Sequence, residues 1–238
     1  MNVLVVGGSA GLGRALVARC QARGDKVSVL DIDTATNVDA TFFDIADADS
    51  VPTTIVTLRG HAPFDLVAIT AGVSAVGRFE TLDIDRLSEV IAVNLTGPLL
   101  LTTALLKAGL IAKGGRLVLV SSLSHFVGYP GASVYAATKQ GLVGFAKSIR
   151  RVARREYGVT VMVVTPGPMD TGHAERYAPP GSGRGPRTSP DEVAAAILRR
   201  RSGGIVIPGH GSKLAAIAGV LFPRFTGRMM RRLIYDRF

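Results

Sequence analysis

Residues 2–24 read N-V-L-V-V-G-G-S-A-G-L-G-R-A-L-V-A-R-C-Q-A-R-G. Val3 to Val6 form a short unbroken apolar run, the pattern of a strand buried on both faces. Beyond the glycines, apolar residues recur at helical spacing until Gly24, which suits a helix stop. Strand, glycine turn and helix in that order let backbone come close to a pyrophosphate. Gly7, Gly11 and Gly13 permit the turn, the close approach and the packing of helix on strand. The helix start offers unpaired N–H groups to the anion, and Ser9 and Leu12 of the same loop join the expected contacts.

Outward from this unit the pattern repeats. K-V-S-V-L (26–30), A-T-F-F-D (40–44), F-D-L-V-A-I (64–69), G-G-R-L-V-L-V-S-S (114–122), V-T-V-M-V-V-T (159–165) and I-V-I (205–207) read as further strands, with helical patterns between them. Strands alternating with helices, with no linker and no internal repeat, predict one doubly wound α/β domain over residues 1–211. Its mostly parallel, seven-stranded sheet carries helices on both faces. Phe79 to Val93 reads as a long helix with irregular joints that runs on through Asn94. Residues 172–189, rich in Gly, Pro and charge, read as a substrate flap.

The 238 residues carry one cysteine, Cys20, which excludes an internal disulfide and a cysteine-built metal site. His61, His125, His173 and His210 are scattered, without metal-ligand spacing. No metal is expected. The first strand follows Met1 without a charged leader, and no apolar run reads as long enough to cross a bilayer, so the expected location is cytoplasmic. The formal charge of +10 is uneven: Lys213, Arg224, Arg228, Arg231, Arg232 and Arg237 face only Asp236 near the end.

Two stretches carry chemistry. Asp31 ends the second strand, where a carboxylate accepts hydrogen bonds from ribose hydroxyls and repels a 2′-phosphate; with no arginine after it, NAD is expected over NADP. Asp44 and Ile45 are placed to border the adenine, and Ala71 and Gly72 to let the cofactor approach. Residues 122–139 read S-L-S-H-F-V-G-Y-P-G-A-S-V-Y-A-A-T-K. Tyr135 and Lys139, four apart, share a helix face, and an ammonium beside a phenol favours the phenolate. Ser122 ends a strand and points into the crevice where such sheets bind ligands.

These motifs resemble the short-chain dehydrogenase/reductase family over roughly residues 2–209. The glycine turn, Asp31, Asp44, the thirteen-residue gap from Ser122 to Tyr135, and Y-x-x-x-K all match it. The resemblance implies a catalytic tetrad of Asn94, Ser122, Tyr135 and Lys139. Tyr135 exchanges the proton, Ser122 holds the substrate oxygen, Lys139 steadies the cofactor ribose, and Asn94 holds a backbone kink and a water. Pro166, Gly167, Met169 and Thr171 would complete the cofactor site, with Thr171 on the nicotinamide carboxamide. Two departures stand out: Val6 replaces a threonine, and Ile69 and Thr70 replace an asparagine pair. Both remove hydrogen bonds expected to tie down the cofactor loop.

The expected activity is NAD(H)-dependent interconversion of a secondary alcohol and a ketone on a hydrophobic substrate. An NADPH-preferring ketoreductase and a non-catalytic dinucleotide-binding protein are the alternatives. His125, His173 and Tyr177 are the candidate substrate contacts. The family implies a homodimer or homotetramer. No nucleic-acid-reading module is present. Residues 212–238 form a basic amphipathic extension, read either as packing on a subunit or as peripheral contact with a membrane.

Overall fold

The computed structural model describes residues 1–178 and 187–238, so part of the expected flap, 179–186, lies outside the described residues. The chain runs β1 (Asn2–Val6), α1 (Gly11–Ala22), β2 (Lys26–Asp31), β3 (Thr41–Phe42), α2 (Val51–Leu58), β4 (Phe64–Ile69), α3 (Ile84–Ile91), α4 (Gly97–Lys107) and β5 (Ile111–Val120). It continues with α5 (Ser133–Glu156), β6 (Thr160–Val164), α6 (Gly172–Arg176), α7 (Pro190–Arg199), β7 (Gly204–Val206), α8 (His210–Leu221) and α9 (Pro223–Leu233).

The seven strands form one sheet in the order β3-β2-β1-β4-β5-β6-β7, with every neighbouring pair parallel. The expected doubly wound fold is therefore present. Alternate residues of β1 enter opposite layers. Leu4 and Val6 pack with residues of α2, α4 and α5, whereas Val3 and Val5 pack with residues of α1 and α7. Strand order reverses at β1, which pairs with both β2 and β4; Val6 stands level with Leu30 and with Ile69. The glycine turn, Asp31 and Thr70 thus leave the sheet side by side, at the crevice where open α/β sheets bind ligands.

One expectation fails here. Ile84–Lys107 is a continuous helix, long and apolar enough by length and composition to cross a bilayer, although half of its apolar window is buried inside the protein. Charged residues in its first turns (Asp85, Arg86, Glu89) break the apolar run in sequence. The helix is also irregular: residues 92–96 form a π-helical turn between α3 and α4. The expected extension of residues 212–238 falls in a pair of helices, α8, which already starts at His210, and α9, with Pro223 in its first turn.

Candidate active site

The π turn puts Asn94, fully buried, opposite the segment that follows β4. Its Oδ1 accepts the Val73 N–H at 2.9 Å, and its Nδ2 donates to the Val73 carbonyl at 2.8 Å and to Thr138 Oγ1 at 3.3 Å. This satisfies the backbone where the chain leaves β4 and fixes Gly72. A Cβ added to Gly72 would lie 3.2 Å from Asn94 Oδ1 and 3.3 Å from Lys139 Nζ.

Lys139, 4% exposed, donates to the Val120 carbonyl at 3.0 Å, and its own carbonyl accepts the Ser121 hydroxyl at 2.7 Å. These bonds lock the start of α5 to the end of β5. The Lys139 ammonium sits 5.5 Å from the centre of the Tyr135 ring. Ser122, two residues beyond β5, accepts the Ser124 N–H at 3.2 Å, and its hydroxyl lies near enough to the Tyr135 phenol to favour the phenolate. All four tetrad candidates therefore meet in one place.

Ionisation differs from the sequence expectation. Burial pushes Tyr135 up to about 12; Ser122 offsets this in part, while Tyr129 adds to it. Burial also drives Lys139 down to about 8. Desolvation penalises both charged forms, and here it outweighs the help an ammonium gives a phenolate. The phenol is held as a proton donor at neutral pH.

Tyr135 belongs to a row of rings. Tyr129 is 6.5 Å away on one side and His173 6.4 Å on the other, with Tyr177 4.7 Å beyond His173. Burial, then Lys139, Arg176 and Arg86, push the His173 imidazole down in pKa. Arg86 of α3 closes the row, donating to the Tyr177 hydroxyl and, at 2.8 Å, to the Ser74 carbonyl. His125 stands apart from the row. Its ring meets Phe126 at 4.7 Å, and its buried Nδ1 has no hydrogen-bond partner among the described residues. Sequence reasoning missed Tyr129 and Arg86, and nothing local to either would have flagged them: Arg86 and Tyr177 are 91 residues apart.

The glycine turn is shaped for a dinucleotide. A side chain at Gly7 (φ +84°) would sit 2.5 Å from the Ala71 nitrogen, and one at Gly13 would sit 1.9 Å from the Gly7 carbonyl oxygen. Ala10, at the N-cap of α1, supplies no side-chain cap, so the first N–H groups of that helix are free of one. Thr171 lies across the turn, its Cγ2 3.5 Å from a Cβ placed at Gly11, and its Oγ1 caps α6 by accepting the Ala174 N–H at 3.2 Å. Leu12 and Ile45 point their side chains into the core, leaving only backbone for a ligand. Asp44 caps its own turn at Ala46 N, 2.8 Å away. Of the segment after β6, the Pro166 carbonyl accepts the Leu123 N–H at 2.8 Å, Gly167 leaves room for Ser212, and Met169 packs on the α1 side of the sheet. The residues present fit a nicotinamide dinucleotide.

Thr70 corrects one reading. Its hydroxyl lies 2.9 Å from the carbonyl oxygens of both Val6 and Gly7. The tie between cofactor loop and strand, thought lost with the asparagine pair, is made by a different side chain.

Comparison with known proteins agrees with this geometry. Residues 1–180 match the short chain dehydrogenase family. The chain belongs to the short-chain dehydrogenase family. This short-chain dehydrogenase is 33% identical over 174 residues to the 3-oxoacyl-[acyl-carrier-protein] reductase MabA of Mycobacterium avium, covering 71% of this chain and 68% of that one. In fold it is similar to BdcA in complex with NADPH (TM-score 0.72, 24% identity, 87% of this chain and 92% of that one). It is likewise similar to a short chain dehydrogenase from Burkholderia cenocepacia in complex with NADP (TM-score 0.75, 24% identity, 97% and 96%). Its general activity is nicotinamide-dependent oxidoreduction.

The preference for NAD, drawn from Asp31, is overturned: BdcA carries NADPH on this same fold. The structure supplies a physical reason why the acid is a poor guide. Asp31 Oδ2 accepts the Ser9 N–H at 2.8 Å and Oδ1 the Asp33 N–H at 3.0 Å, while Ser9 Oγ donates to the Asp33 carbonyl at 2.6 Å. Both carboxylate oxygens brace the glycine turn against the loop after β2.

Proposed function

We propose that this short-chain dehydrogenase reduces a ketone on an aliphatic chain to the secondary alcohol with NADPH, its catalytic unit being residues 1–211. The observation that carries this reading is the half-buried Tyr135 phenol with the Lys139 ammonium 5.5 Å from its ring centre. Such a phenol serves as an acid toward a carbonyl. The names of relatives that reduce 3-oxoacyl groups support the same direction and suggest a 3-oxoacyl type of substrate.

When bound, the reduced nicotinamide supplies hydride to the carbonyl carbon. The protein does the rest. Ser122 and Tyr135 hold the carbonyl oxygen between two hydroxyl donors, which orients the carbon and stabilises the charge that develops on the oxygen. Tyr135 gives that oxygen its proton, and the resulting phenolate is stabilised by Ser122 and by protonated Lys139. Asn94, through Val73, keeps Gly72 and the backbone beside Lys139 in place. Gly7, Gly11, Gly13, Ala71 and Gly72 would hold the dinucleotide, and Thr171, across the turn from Gly11, would close over it.

The test is a screen of 3-oxoacyl thioesters and simple ketones with NADPH and with NADH, followed by absorbance of the reduced ring. Turnover is expected to favour NADPH. Tyr135→Phe is expected to bind NADPH normally while losing about 100-fold or more in turnover, the usual scale for a general acid; turnover unaffected by that change would refute the assignment.

A further inference from the structure

The extension formed by α8 and α9 is pinned to the body by one side. Gly219 of α8 lies under the Phe126 carbonyl, with room for no Cβ, and Ala216 and Thr226 are buried. Ile234 and Phe238 pack on Gly131, just ahead of Tyr135. The Tyr235 hydroxyl donates to Glu80 at 3.1 Å, with the Arg78 guanidinium 5.2 Å from the ring centre. These contacts fix which faces look outward.

What looks outward is apolar. Leu214 is 69% exposed, Phe222 61% and Phe225 64%, and Ile217, Val220, Leu221, Met229 and Leu233 are exposed as well. Phe222, Phe225, Met229 and Leu233 fall at steps of three and four, so they form a stripe along α9. Arg224, Arg228, Arg231 and Arg232 are exposed along the adjoining strip of the same helix. The single acid of the region, Asp236, lies 3.4 Å from Arg231. A contiguous apolar surface of this kind marks an interaction site.

We propose that the outer face of α8 and α9 docks on an anionic lipid surface, with the aromatic and aliphatic stripe at the level of the upper acyl chains and the arginines among the headgroup phosphates. Charge decides between lipid and a second copy of the chain. Across a two-fold axis, one arginine strip would meet another, with one carboxylate per copy to offset it. An anionic bilayer neutralises every one. The inner side of the extension packs on Phe126 and Gly131, between Ser122 and Tyr135, so docking holds the element that adjoins this segment at the bilayer. The lipid contact itself does not depend on the redox reading.

The experiment is sedimentation of the full chain with vesicles of phosphatidylcholine alone or mixed with phosphatidylglycerol. Mass in solution is measured in parallel by light scattering. At least tenfold more protein is expected on the anionic vesicles, with loss of binding when salt is raised from about 0.1 M to about 1 M, which shortens the screening length from about 10 Å to about 3 Å. The double variants Phe222→Ser/Phe225→Ser and Arg228→Gln/Arg232→Gln are each expected to bind at least tenfold less. Both should keep the wild-type solution mass, unfolding temperature and turnover. Equal binding to the two vesicle types would overturn the proposal. So would absence of vesicle binding together with a lower solution mass for the phenylalanine variant, the result expected if a second copy covers this face.

Discussion

Asn94 and Val73 clasp each other through both halves of one side-chain amide, at 2.9 Å and 2.8 Å, although 21 residues separate them. The clasp joins a helix to the loop beside the cofactor cradle. Asn94→Ala would leave two backbone groups unpaired in the interior, each costing about 1–3 kcal/mol. The expected result is a fall of about 2–4 kcal/mol in unfolding free energy, measured in urea, with weaker turnover as Gly72 and Lys139 shift. Asn94→Asp keeps the acceptor for the Val73 N–H and should fall between the two.

Lys139 titrates at about 8 in the folded protein against an ordinary value of 10.5. Its folded pKa is lowered, so between these values the unfolded chain holds a proton that the folded one has released. Stability therefore rises with pH from about 8 to 10.5 and has no slope from this residue below about 8. Tyr135, with its pKa raised to about 12, gives the opposite slope, but only above its ordinary value of 10.0. Urea unfolding at a series of pH values from 7 to 10 should show the rise in wild type, by an amount on the order of 3 kcal/mol at most. The rise should be absent in Lys139→Met; an identical slope in the variant would rule Lys139 out as its source.

Much of this was legible in the sequence, for identifiable reasons. The strands are buried on both faces, so they stand out as unbroken apolar runs such as Val3–Val6 and Val161–Val164. The glycines at 7 and 13 are required by contacts that no other residue allows. Tyr135 and Lys139 share one helix, which makes their adjacency a matter of spacing alone. What could not be read are the ties between distant segments. The hydroxyl of Thr70 reaches across 64 residues to Val6, and Arg86 reaches across 91 to Tyr177. Ionisation was misjudged because burial, unlike the spacing of two charges, is a property of the packed site. Asp31 misled in the same way: its position at a strand end was visible, and its two backbone partners were not.

Asp31 yields a prediction that separates a brace from a charge filter. If its carboxylate acted mainly by repelling a phosphate, Asp31→Ala would improve NADPH binding and leave NADH behind. As a brace it accepts Ser9 N–H and Asp33 N–H, and its removal loosens the turn that both cofactors share. We expect both affinities to fall about tenfold, and stability by about 1–3 kcal/mol, the cost of leaving such donors unpaired. Fluorescence titration with the two reduced cofactors checks this, and a gain confined to NADPH would restore the repulsion reading.

Thr70 tests whether one hydroxyl replaces an asparagine pair. Its single proton is shared between two carbonyl oxygens, Val6 and Gly7, and its Oγ1 lies 2.6 Å from where a Cβ at Gly13 would stand. The hydroxyl therefore occupies the inside corner of the turn, holding the carbonyls whose orientation points the neighbouring N–H groups outward. Thr70→Val keeps the shape and removes the donor, at an expected cost of about 1 kcal/mol in stability. Thr70→Ser keeps the donor and should bind NADPH like wild type. Weaker NADPH binding in the valine variant, rescued in the serine variant, would show that the hydrogen bond, and not the packing of the methyl group, secures the cofactor loop.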